Sequence, residues 1–267
     1  MSMAKPFISF MTAFMICENY EWIEERLLQS INNISYFCDK LNISYEILLC
    51  EHIGLTNKKI IGNNFRNIKN VKVFEIDGNY PSPLGYKFIE AYGKNECLKH
   101  ATGEFSCIVN SDIIFSESFF KFISTELKHK TFYRFADYEV LESDDKDVEK
   151  LLNHCENNII RLCNPGCFKL NPAWSDIGQK SGDIMLLDTK SFQYIKGYPI
   201  NECHNHVDTS TCIVAMNNFP VIVPPKDVCI YTMAQATLRQ GGVDPSIDTY
   251  EWNKCLSFLD KMVSNIS

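Results

Sequence analysis

The sequence predicts an α/β protein with a mostly parallel central sheet flanked by helices. Three observations predict it. Short apolar runs of strand length alternate with segments of helical periodicity through the first half. Two of those runs are followed by an acid, Glu51 and Asp112, at the end where such sheets bind ligands. No linker, internal repeat or low-complexity tract divides the chain. At 267 residues it can bury a substantial core, and it reads as one domain over 1–267 with a first half to residue 115 and a second from 116.

The elements follow in order. Pro6 to Phe14 (PFISFMTAF) is an apolar run of strand length, and Glu18 to Phe37 then sets Trp22, Leu27, Leu28, Ile31 and Ile34 at helical spacing. Tyr45 to Glu51 is a buried strand, and Asn70 to Ile76 alternates as a third. Asp77 to Gly85 carries two prolines and two glycines and must turn. Lys87 to His100 has helical periodicity and stops before Gly103, after which Glu104 to Asn110 (EFSCIVN) is a fourth strand. Ser116 suits the N-cap of the next helix, Thr131 to Val140 (TFYRFADYEV) reads as one strand, and the polar run Ser143 to Lys150 opens a surface helix. A long loop covers Asn164 to Gly182. Then come a strand ending at Asp188, a short helix to Lys196, a helix from Val207 to Asn218, short strands at Val221–Val223 and Val228–Tyr231, and a closing amphipathic helix from Asp248 to Val263.

Charge and cysteine usage exclude several classes. A formal net charge of −7 leaves no basic surplus for a phosphate backbone, so nucleic acid is not an expected partner. No stretch of 18 apolar residues lacks charge, and the N-terminal run lacks a basic region and a cleavage site, so neither a transmembrane segment nor a signal peptide is expected. The twelve cysteines are scattered through apolar segments, where reduced thiols behave as small hydrophobes; a reducing, cytoplasmic compartment is the expectation. Cys163 with Cys167, or Cys203, His204 and His206 with Cys212, lack the spacing that closes around zinc.

Tyr92 to Phe105 reads YGKNECLKHATGEF, and Ser106 to Ser116 reads SCIVNSDIIFS. In order and spacing this resembles the N-x-G-x-x-x-A-x-G-(E/D)-(Y/F) block, followed by DxD, of family 2-like GT-A glycosyltransferases of the nucleotide-diphospho-sugar transferase superfamily. The similarity extends to Tyr45–Glu51 and to Gly182–Pro199 (GDIMLLDTKSFQYIKGYP), and covers roughly residues 7 to 231. It implies a Rossmann-like GT-A fold whose first half, 1–115, binds a nucleotide-sugar and whose smaller second half, 116–267, binds a glycan or other hydroxyl acceptor. It also implies Mn2+ or Mg2+ held at the DxD position against the diphosphate of a donor, a UDP-sugar being the commonest case. A divalent cation there stabilises the charge that develops on the leaving diphosphate.

By the same resemblance Glu51, Lys94, Asn95, Asn110, Ser111 and Asp112 belong to the donor side, with Asp112 and Asn110 as metal ligands. Asn110 replaces the first acid of the motif, so Asp112 alone brings full charge. Thr232 stands where related enzymes can place a histidine ligand. The general base of inverting members lies about ten residues beyond a Gly-aromatic-Pro turn, which matches Asp208; Glu202 is the second choice, and Asp183 would orient a sugar. Asp208 also suits a helix N-terminus on dipole grounds alone, and Glu51 could be an ordinary strand-end acid. Lys94 could simply face solvent, and Arg134 could lie under the diphosphate or pair with Asp137. Two classes stay open: a glycosyltransferase (hexosyltransferase-type, inverting), and a catalytically weak nucleotide- or carbohydrate-binding protein of the same fold.

Overall fold

The computed structural model describes residues 5–15, 22–53, 61–77, 90–164, 184–198 and 207–233. Strands β1 (Ile8–Phe14), β2 (Tyr45–Ile53), β3 (Val71–Asp77) and β4 (Phe105–Val109) alternate with helices α1 (Trp22–Lys40), α2 (Gly62–Phe65) and α3 (Glu90–His100). After β5 (Ile113–Phe115) come α4 (Glu117–Thr125), β6 (Phe132–Tyr133), β7 (Ala136–Val140), α5 (Val148–Asn157) and β8 (Ile159–Asn164). The described chain resumes with β9 (Ile184–Asp188) and α6 (Thr189–Tyr194), then α7 (Val207–Asn218), β10 (Val221–Ile222) and β11 (Cys229–Met233).

The large sheet has the order β10-β6-β9-β4-β1-β2-β3, and the small one β5-β11-β7-β8. In the large sheet β9 runs against β4 and β6, while β1 is parallel to β2 and β4, β2 to β3, and β10 to β6. This is the mostly parallel sheet the sequence predicts. Period-two alternation divides its two faces. Ile8, Phe10, Phe14, Ile47 and Leu49 join the cluster that packs on α1, whereas Met11, Leu48 and Cys50 join the cluster formed with α3, α6 and α7. Each such side chain, fully buried, stabilises the fold by about 1.5–3 kcal/mol.

The end of the sheet remote from the DxD-like turn is tied by one carboxylate. Glu46 Oε1 accepts from Ser9 Oγ at 2.7 Å, Thr102 N at 2.6 Å, Thr102 Oγ1 at 2.8 Å and Gly103 N at 3.1 Å. Its Oε2 takes Lys72 Nζ at 2.7 Å. Burial by itself would raise its pKa; the lysine and these donors outweigh it and lower the value.

The sequence reading fails at defined places. Thr131–Val140 is two strands, because the chain leaves the large sheet after Tyr133 and pairs with β11 of the small sheet from Ala136. A run buried on both faces carries no alternation to reveal such a change of sheet. Strands β5 and β8 and helix α2 were not expected; β5 has three residues and α2 four, too short for a period to show, and the apolar run of β8 (IIRLCN) lies at a sheet edge with Ile159 and Ile160 exposed. The N-cap role of Ser116 is observed: its Oγ accepts from Phe119 N at 3.1 Å. Cys38, Cys50, Cys97, Cys107, Cys155, Cys212 and Cys229 are buried free thiols. Among the described residues no helix is long and apolar enough to cross a membrane. The expected closing helix from Asp248 lies outside the described residues.

Candidate functional site at the sheet switch point

Strand order reverses between β1 and β4, and in open α/β sheets ligands bind at the carboxyl ends of strands beside such a reversal. Asn110, Ser111 and Asp112 follow β4 directly, half-buried, and form the turn that hands the chain from the large sheet to β5 of the small one.

Lys94 lies behind this turn. It sits on α3 with only 1% of its side chain exposed, so the solvent-facing alternative is ruled out. Its Nζ meets Glu90 Oε1 at 2.7 Å, Asp208 Oδ1 at 3.1 Å and Asn110 Oδ1 at 3.1 Å, and stands 4.9 Å from the centre of the Tyr198 ring. Burial alone would strip its proton; the carboxylates of Asp208 and Glu90 outweigh burial and raise its pKa well above that of a free lysine. The ammonium therefore joins the first position of the DxD-like motif, 16 residues from Lys94, to the base candidate, 114 residues from it. Asp208 occupies the first turn of α7, as its sequence context predicts.

Asn95, the next residue on α3, holds the opposite wall. Its Nδ2 donates to the Tyr198 carbonyl and its Oδ1 accepts from Tyr198 N–H, both at 2.8 Å. The amide thus locks the Gly197–Tyr198 turn against α3. Gly197 has φ +68°, and a Cβ there would lie 2.3 Å from Asn95 Oδ1, so this turn needs glycine on two counts. Tyr198 is buried, its hydroxyl 3.6 Å from Met185 Sδ, and belongs to the core rather than to an open stacking platform.

Glu51 is fully buried at the end of β2. Its Oε1 accepts from Ile61 N at 2.9 Å and Oε2 from Gly62 N at 2.7 Å, so it holds the entry to α2. Burial raises its pKa, and the two backbone donors only partly offset this. Arg134 is also fully buried and its Nη1 donates to the Ile184 carbonyl at 2.9 Å; its charge is felt at Asp137 and Cys212.

Sequence reasoning gave Asp137 no role beyond pairing with Arg134. It is buried on β7, accepts from Thr232 Oγ1 at 2.8 Å, and its pKa is pushed up to about 6 by burial and by the nearby Asp112. Thr232, at the position examined for a histidine ligand, thus serves Asp137. The strand pairing Thr232↔Ile113 that brings these groups beside the DxD-like turn is a long-range fact with no local signal.

The implied divalent cation can be tested against these donors. Asp112 offers a half-buried hard carboxylate, and its repulsion with Asp137 is of the kind a dication relieves. Asn110 Oδ1 already accepts from an ammonium, which leaves Asp112 the stronger donor. Among the described residues no group of three or more His, Cys, Asp or Glu side chains is gathered for a metal, so such an ion would depend on donor phosphates and water for its other ligands. Asp183, Glu202, Trp174, Cys167, Cys203, His204 and His206 lie outside the described residues.

Neither a family model nor a curated protein matches the chain. Solved structures do. The crystal structure of S. aureus TarS 1–349 matches with a TM-score of 0.51 at 16% identity over 85% of this chain and 60% of that one. Its complex with UDP-GlcNAc gives 0.53 at 16% identity over 91% of this chain and 63% of that one, and its complex with UDP gives 0.52 at 16% identity over 85% and 60%. The chain therefore spans under two thirds of these structures. Sheet order, switch-point turn and this likeness together give the chain a GT-A-like fold.

Proposed function

We propose that the protein is a glycosyltransferase that moves a sugar from a nucleotide-diphosphate sugar, a UDP-sugar by preference, to an acceptor hydroxyl with inversion. The observation that carries this reading is the Lys94 contact that brings the Asp208 carboxylate to the Asn110–Asp112 turn at the sheet switch point. The UDP-GlcNAc and UDP complexes of TarS support the choice of donor. Asp208 takes the proton of the acceptor hydroxyl, whose oxygen attacks the anomeric carbon from the face opposite the diphosphate. The anomeric carbon–oxygen bond breaks, and its electron pair leaves with UDP. A divalent cation at Asp112 would supply Lewis-acid stabilisation of that leaving group. Asn95 and Gly197 shape the acceptor side by fixing the Tyr198 turn, while Ser111 acts at the donor end and Glu51 supports that end indirectly, by holding the entry to α2 through Ile61 and Gly62. Glu202 and Asp183 keep their proposed roles as second base candidate and sugar-orienting acid.

One observation favours the second reading, a binding protein with weak or no turnover: the amide that stands for the first acid of the motif is bonded to an ammonium. Thermal shifts with UDP-, GDP- and dTDP-sugars in Mn2+, together with release of the nucleoside diphosphate, separate the two. Asp112→Ala should abolish the shift with the fold intact, and Asp208→Ala should keep the shift and remove transfer. Binding without metal-dependent turnover in the parent protein would establish the second reading.

A further inference from the structure

We propose that Lys94 is the positioning residue of the site, a buried cation that holds the Asp208 carboxylate in register with the Asn110–Asp112 turn. The inference rests on the transferase reading above and adds a role that the donor-side resemblance does not contain, since a side chain 1% exposed behind the turn is not placed to touch a donor.

Three features carry it. Lys94 is a single ammonium, 1% exposed, facing two carboxylates that are 17% and 19% exposed, so the cation is enclosed while Glu90 and Asp208 keep an open side. Glu90, one helical turn before Lys94 on α3, fixes the ammonium from its own helix at 2.7 Å, which leaves the longer contacts of 3.1 Å to reach across to Asn110 and Asp208. The Tyr198 ring closes another side at 4.9 Å, and Asn95 pins that ring's backbone to the same helix. Helix α3 thus supports the base through Lys94 and the acceptor-side turn through Asn95, two adjacent residues on one rigid element. A base held in this way meets the acceptor hydroxyl without first losing rotamer freedom, and the gain appears in kcat rather than in donor binding.

The test is a double-mutant cycle on kcat, measured as UDP release from UDP-GlcNAc and UDP-glucose in Mn2+ with the full chain. Lys94→Met alone would leave Glu90 and Asp208 facing each other, so the cycle is run in a Glu90→Gln background, which removes that repulsion and protects the fold. In that background Lys94→Met should lower kcat at least 30-fold, with donor KM and the UDP-induced thermal shift within twofold of the background. Adding Lys94→Met to Asp208→Asn should cost less than threefold more, because the lysine acts through that carboxylate. Full multiplicative losses in the double variant, or a loss confined to donor KM, would overturn the role while leaving the transferase reading in place. Absence of UDP release from the parent protein with any UDP-sugar would overturn both.

Discussion

The side-chain amide of Asn95 and the backbone of Tyr198 exchange two hydrogen bonds of 2.8 Å, one in each direction. This pair is the joint between α3 and the turn after α6. Asn95→Ala should leave the Tyr198 N–H and C=O without their partner and lower stability by about 1–3 kcal/mol. Gly197→Ala, which forces a side chain into positive φ and against Asn95 Oδ1, should destabilise by roughly as much or more. Thermal melts of the two variants check both, and a melting temperature within a degree of the parent for either would refute the joint.

Glu51 makes a second prediction. Its carboxylate oxygens each accept one backbone N–H at the entry to α2, and glutamine offers one acceptor for those two donors. Glu51→Gln should therefore cost about 1–2 kcal/mol in urea unfolding. UDP affinity by calorimetry should stay within twofold, since the carboxylate is engaged with the protein's own backbone.

Burial depresses the pKa of His52 to about 4, below the ordinary value of 6.5. The unfolded chain thus binds a proton that the folded one refuses between those values. Stability from the neutral ring is fully present above pH 6.5 and is lost as pH falls toward 4, by roughly 3 kcal/mol at most. His52→Leu should remove this dependence, so the melting temperature of the parent should drop relative to the variant across pH 6.5 to 4. Parallel curves over that window would contradict the prediction.

Glu46 behaves in the opposite sense to a buried unpaired acid. Its folded pKa is lowered, so its contribution is present above the ordinary glutamate value and lost as pH falls through the folded one. Glu46→Gln should cost about 2–4 kcal/mol near pH 7, since charge-assisted bonds to Lys72 and to the Thr102–Gly103 backbone go together. The gap between variant and parent in chemical denaturation should shrink below pH 4.

Local pattern was enough for β1, β2 and β4 as continuous apolar runs of strand length, for β3 by its alternation, and for α1 and α3 by helical spacing. The same reading located Asn110–Asp112 at a strand end and Asp208 at a helix start. It left the burial of Lys94 undecided between a solvent face and a donor contact, because the partners that decide it stand 16 and 114 residues away. It underestimated Asp137 for the same reason: Thr232 and Asp112 reach it only through the pairings of β11 with β7 and β5. Charged side chains deep in a site are legible only once the sheet order is known, since their stability comes from partners that no periodicity encodes.

The ten-residue run Thr131–Val140 enters one sheet as β6 and the other as β7, and β9 from the later half of the chain is inserted between β4 and β6. The first and second halves of the chain are consequently interwoven rather than joined end to end. Cutting after residue 115 would strip β4 of its β9 neighbour, opening an edge there, and would leave β5, the outer strand of the small sheet, without its β11 neighbour. Grafting the second half of another chain onto the first would have to carry β9 and β11 with it, and loop exchange outside the two sheets offers the gentler route.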